Sequence, residues 1–133
     1  MGKRLVKRNV KVDLILSSPA KRALATAEVI AKMLNYRRKD IVVSHRLYAG
    51  QVDDLLDFIQ GLDHKLERVI LVGHNPELTE LAHYLSSEIS HMPTSAIAEF
   101  TFDVKSWSAI GKDKPTNMTL DYPKKSSGWF ERL

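Results

Sequence analysis

The sequence predicts an α/β domain with a mainly parallel sheet and helices on both faces. Three observations carry that expectation. Short, nearly unbroken apolar runs, such as Val12-Asp13-Leu14-Ile15-Leu16 and Arg68-Val69-Ile70-Leu71-Val72, read as strands covered on both faces. Longer stretches place apolar residues at helical spacing. The two kinds of segment alternate, which is the signature of parallel strands joined by crossover helices.

The elements follow in order. Residues 3–10 read as the last turns of a helix, with Leu5, Val6 and Val10 forming only part of an apolar face. Val12 to Leu16 is the first strand. Ser18 suits a helix N-cap and Pro19 the first helical position, where a missing N–H costs nothing. Ala20, Ala23, Leu24, Ala27, Ile30, Ala31 and Leu34 then predict an amphipathic helix over about 19–34. Ile41-Val42-Val43 is a short strand. Val52, Leu55, Leu56 and Ile59 mark a helix that Gly61 is placed to end. The strand ending at Val72 leads through Gly73-His74 to Asn75, a suitable N-cap, and Pro76. Leu78, Leu81, Ala82 and Leu85 stripe the next helix. Ile97 to Val104 reads as a further strand, Met118 to Tyr122 as an edge strand, and 123–133 as a polar tail.

With 133 residues the chain fits one domain, 1–133, and can bury roughly two thirds of its unfolded surface. The absence of cysteine excludes disulfides and thiolate metal sites and fits a cytoplasmic location. No apolar run approaches the ~20 residues that span a bilayer, and the basic N-terminus lacks a signal-peptide core, so no membrane partner is expected. The net charge is +4. Lys3, Arg4, Lys7, Arg8 and Lys11 precede the first acid, and Arg37-Arg38-Lys39 forms a second basic run. No aromatic stacking motif accompanies them, so they read as solvated faces and nucleic acid is not the expected partner.

Two strand ends carry the candidate chemistry. Leu14-Ile15-Leu16 runs into Ser17-Ser18-Pro19, and Ile70-Leu71-Val72 runs into Gly73-His74-Asn75-Pro76. In a parallel sheet both exits lie at the carboxyl edge, where open α/β folds bind ligands. Each exit starts a helix, and a helix N-terminus offers N–H groups and a positive dipole end to an anion. Arg22 lies in the first turn of one helix, where its guanidinium can grip phosphate oxygens with paired hydrogen bonds. His74 lies just before the other, where an imidazole can donate to an oxyanion or move a proton. Plain helix capping accounts for the same local patterns, so the residues alone leave an anion site and simple caps both open.

A resemblance adds to this. Ser17-Ser18-Pro19-Ala20-Lys21-Arg22-Ala23-Leu24-Ala25-Thr26-Ala27-Glu28 resembles the second signature block of the histidine phosphatase superfamily. Val72-Gly73-His74-Asn75-Pro76 resembles the block carrying that family's second active-site histidine, and Met92-Pro93-Thr94-Ser95-Ala96-Ile97-Ala98 resembles a stretch of its SixA-type branch. The three stand in the family's order, within residues 1–104. The resemblance implies a phosphoglycerate mutase-like fold and a hydrolase that removes phosphoryl groups from phosphohistidine on a protein, or from a small phosphoester, without a cofactor. It implies Arg22 and His74 as catalytic residues, and Arg22, His74, Ser17, Asn75 and Thr94 as the phosphate-binding set.

The sequence departs from the family in one respect. Family members attack with a histidine in an Arg-His-Gly or similar motif after the first strand, splitting one displacement into two. This sequence has no Arg-His pair: its histidines follow Ser44, Asp63, Gly73, Ala82 and Ser90. The chain begins inside the family's first helix, so an N-terminally truncated form of the fold is expected. His45 follows a short strand and reads as a solvated loop residue near the carboxyl edge. His64 falls in a polar turn, His83 at a surface or half-buried helix position, and His91 in a loop. Asp53 and Asp54 suit a helix start. Two further readings stand beside the enzyme: an inactive phosphate-binding pseudophosphatase, and an interaction module. A lost first strand would leave its neighbours' flanks unpaired, so a homo-oligomer is expected.

Overall fold

The computed structural model describes residues 11–49, 51–74, 77–87, 89, 97–112 and 114–121. The N-terminal helical turns expected over 3–10, the Asn75-Pro76 helix start, His91 and the tail over 123–133 lie outside the described residues. The elements are β1 (Leu14–Ser17), α1 (Lys21–Met33), β2 (Val42–Val43), α2 (Arg46–Ala49), α3 (Val52–Gln60), β3 (Val69–Val72), α4 (Glu77–Ser86), β4 (Ile97–Thr101) and β5 (Asn117–Asp121). They fall into two compact units, one formed within residues 11–49 and 66–74, the other within 51–65 and 77–121.

The first unit is built on a parallel sheet in the order β2-β1-β3, as the alternating pattern predicts. Leu14 pairs with Val69, Ile15 with Ile70, Leu16 with Leu71 and Ser17 with Val72. β1 is central, and Ile15, Leu16 and Ser17 are buried. Successive strand side chains point to opposite faces, so a central strand covered on both has no room for polar alternation. Asp13 ties the amino ends of β1 and β3 together. Its Oδ2 accepts the backbone N–H groups of Glu67 at 2.8 Å and Arg68 at 3.0 Å. Those bonds, Arg68's first, hold the Asp13 carboxyl below the ordinary value of 3.8, with lesser help from the Lys11 and Arg68 charges.

α1 lies on this sheet through Ala23, Ala27, Ile30 and Ala31, which pack with Ile15 and Val72. Three of those four helix residues are alanines, and their small side chains let helix and sheet backbones approach. The helix ends in a Schellman motif. Asn35 takes φ 57°, its N–H donates to Lys32, and the Tyr36 N–H reaches back to Ala31 at 2.8 Å. The Tyr36 ring packs on the core, while its hydroxyl donates to the Asp40 carbonyl at 2.9 Å and accepts from the Ile15 N–H at 3.4 Å. In the basic run that follows, Arg38 pairs with Glu28, and Arg37 lies 3.7 Å from Asp40.

The structure corrects the start of α1. Ser18 was expected as N-cap and Pro19 as first helical residue, but the helix begins at Lys21 with Ala20 as N-cap. Ser18 Oγ instead accepts the Ala20 N–H at 3.1 Å and contacts a histidine across the sheet. This hydroxyl serves the turn, which delays the first helical bond until Leu24 N–H donates to Ala20.

In the second unit, Asp54 accepts the Gln51 N–H at 3.0 Å, the capping role expected of the acidic pair. Gly61 closes α3 at φ −87°, a conformation open to any residue. α3 packs against α4, with Leu55 and Leu56 buried on one and Leu81, Ala82 and Leu85 on the other. β4 and β5 form their own antiparallel pair, from Ile97 opposite Asp121 to Thr101 opposite Asn117. The strand expected to run to Val104 stops at Thr101. There Thr116 donates both its N–H and its hydroxyl to the Thr101 carbonyl, closing the ladder. Gln60 donates to the Ile110 carbonyl at 2.7 Å, and Gly111 follows at φ +95° against Leu56 and Tyr84. Among the described residues no helix is long and apolar enough to cross a membrane.

Candidate anion site at the carboxyl edge of the parallel sheet

The register of β1 against β3 fixes this site. Ser17 faces Val72, and the Ser18 N–H continues the pairing by donating to the Val72 carbonyl at 2.9 Å. The next residues on the two strands, Ser18 and Gly73-His74, therefore leave the sheet side by side. Ser18 Oγ lies 2.6 Å from His74 Nε2, joining residues 56 apart in sequence. Ser18 is 0% exposed, whereas His74 is half-buried.

α1 begins three residues beyond Ser18, at Lys21. Its first turn holds Lys21 and Arg22 and no acid. That is the reverse of the usual preference, because the N-terminal end of a helix is the positive end of its dipole and favours carboxylates. The first N–H groups of any α-helix lack intrahelical partners. Exposed cations, open N–H donors and the dipole thus coincide with no negative side chain in that turn. The arrangement can receive an anion bearing several oxygens.

The expected site residues fare differently. Arg22 is exposed in the first turn of α1, and His74 stands at the end of β3, both as the sequence placed them. Ser17 is 0% exposed and its hydroxyl donates to the Ser18 carbonyl at 2.8 Å. Asn75 and Thr94 lie outside the described residues. β2 exits at the same edge, since Ser44 N–H donates to the Ser17 carbonyl at 3.0 Å; exposed His45 follows it. His64 lies in a turn 3.6 Å from Asp63, and His83 Nδ1 contacts the Ile89 carbonyl at 2.9 Å. The residue that sequence reasoning undervalued is Ser18. Its signal was the matched pair of strand exits, which set Ser18 and His74 at nearly equal distances past their strands.

No family model and no curated protein matches the chain. Solved structures do. The protein histidine phosphatase SixA, complexed with tungstate, superposes with a TM-score of 0.70 at 26% identity, over 91% of this chain and 73% of that one. The chain has the SixA-type histidine phosphatase fold. A structure from Nakamurella multipartitia named phosphohistidine phosphatase SixA gives a TM-score of 0.73 at 18% identity, over 92% of this chain and 77% of its own. One of the same name from Agrobacterium tumefaciens gives 0.70 at 24%, over 89% and 73%. The SixA-type fold agrees with the expected mixed α/β, phosphoglycerate mutase-like class. Its parallel strands carry the two signature exits that the sequence resemblance singled out.

Proposed function

We propose that the carboxyl-edge site holds a phosphoryl group, and that the chain is a phosphohistidine phosphatase-family domain acting on a phosphorylated protein or small phosphoester. The observation that carries this reading is the Ser18–His74 hydrogen bond. It brings His74 to the foot of a helix whose first turn carries Lys21 and Arg22 and no acid. Arg22 would take two phosphoryl oxygens through parallel N–H donors, and His74 would supply a further donor or move a proton. Both would stabilise charge on the oxygens during transfer, a main source of rate in such chemistry. The SixA neighbour's tungstate, a tetrahedral oxyanion, is a suitable probe.

A second reading is favoured by one observation: the sequence has no Arg-His pair. This chain would then bind phosphate without turning it over, as a pseudophosphatase or interaction module. Calorimetry with tungstate and phosphate tests what the two readings share. Dissociation constants in the micromolar to millimolar range are expected, weakened about tenfold or more in Arg22→Ala by the loss of charged hydrogen bonds. Absent binding, or binding unchanged by that substitution, rejects both. Release of phosphate from phosphohistidine, by this chain or by one extended upstream, selects the enzyme; binding without release by both selects the pseudophosphatase.

A further inference from the structure

We infer that Ser18 donates its hydroxyl proton to His74 Nε2 and thereby holds the ring in its Nδ1–H tautomer, which makes Ser18 a positioning residue. A serine hydroxyl has one proton to give and two lone pairs. Among the described residues Ser18 Oγ has two polar partners, the Ala20 N–H at 3.1 Å and His74 Nε2 at 2.6 Å. The amide can only donate, so it takes a lone pair. Among the described residues His74 Nε2 is then the one acceptor offered to the hydroxyl proton. The opposite direction, Nε2–H to oxygen, would leave that proton without an acceptor at a residue with 0% exposure. A buried donor without a partner is disfavoured strongly enough to choose between tautomers that differ little in energy.

Ser18 is out of a ligand's reach, so it acts through the ring. With Nε2 accepting, the ring proton sits on Nδ1, and that edge of the imidazole is a donor, the polarity an oxyanion requires. His83 offers an internal standard. Its Nδ1 lies 2.9 Å from the Ile89 carbonyl, which can only accept, so its neutral ring also carries the proton on Nδ1. The consequence for anion binding rests on the phosphoryl-site reading above; the tautomer does not.

The test uses the full chain labelled with nitrogen-15 at histidine, in two-bond proton–nitrogen correlation spectra at alkaline pH. His74→Asn identifies the His74 signals. His74 is expected to show the Nδ1–H pattern in the wild type, like His83, and to move toward the Nε2–H form of solvated imidazoles in Ser18→Ala. An Nε2–H pattern for His74 in the wild type overturns the inference whether or not the variant folds. So does a folded Ser18→Ala whose His74 pattern is unchanged. Tungstate titrated into the same samples should bind several-fold more weakly to Ser18→Ala. Failure of tungstate to bind a wild type that shows the Nδ1–H pattern would count against the phosphoryl site alone.

Discussion

Replacing Gly111 with alanine should destabilise the second unit by about 2–3 kcal/mol, the sum of a backbone and a packing contribution. Gly111 sits at φ +95°, where an L side chain meets its own backbone; forcing alanine there costs about 1–2 kcal/mol. A Cβ at this position would lie 3.2 Å from Leu56 Cδ1 and 3.4 Å from both Leu56 Cδ2 and Tyr84 Cε1. Leu56 is buried, so it can yield only by disturbing its neighbours on α3, adding about 1 kcal/mol. Gly61→Ala is the matched control. At φ −87° its new Cβ would meet only the Asp57 and Phe58 carbonyls, at 3.5 and 3.6 Å, which is ordinary contact. Alanine there restricts the unfolded chain without straining the folded one, a gain of about 0.4–1 kcal/mol. Urea denaturation followed by circular dichroism measures both. The opposite signs are the point: Gly111→Ala within about 0.5 kcal/mol of the wild type, or Gly61→Ala as harmful as Gly111→Ala, would refute the reasoning.

Three other outcomes are expected. Asp13→Ala should destabilise by about 1 kcal/mol near neutral pH, the usual worth of hydrogen bonds reduced for an exposed carboxylate. Because the folded carboxyl titrates below 3.8, that stabilisation is complete above this value and fades as pH falls through the lowered folded one; denaturation midpoints of both proteins across acid pH should converge there. Asn35→Ala should cost about 1 kcal/mol at its left-handed position, and Asn35→Gly should not, by thermal melts of the pair. Ala27→Leu should cost about 1–3 kcal/mol by overfilling the contact between α1 and the sheet, where Ala27 is 0% exposed; a neutral result in urea would mean that this contact is loose.

What could be read from the chain alone depended on the range of each interaction. β1, β3 and the buried face of α1 were legible because burial writes itself into local periodicity. Ala23, Ala27, Ile30 and Ala31 are spaced by the helix, and the apolar run ending at Val72 is spaced by a covered strand. The pairing of β4 with β5 was not legible, since each segment reads as a strand while its partner is chosen across a long connection. Ser18 shows the same limit at a site. A serine before a proline at a helix start is a good local cap, and only register against β3 reveals that its hydroxyl turns to His74. Arg22 and His74 were found because each announces itself by residue type at a strand exit.

The four residue pairs between β1 and β3 make the candidate site a gauge of folding. Neither strand with its exit contains it; it exists only once residues 56 apart in sequence have been brought together by looping out the chain between them and the strands have met in one alignment. Sliding that alignment by a single residue would turn every side chain of β3 to the opposite face. An oxyanion that recognises the aligned pair would favour it over every misaligned or open chain, and by mass action would raise the stability of the first unit in proportion to the logarithm of its concentration. The protein's resistance to unfolding would then report phosphate in its surroundings, even where no phosphate is consumed.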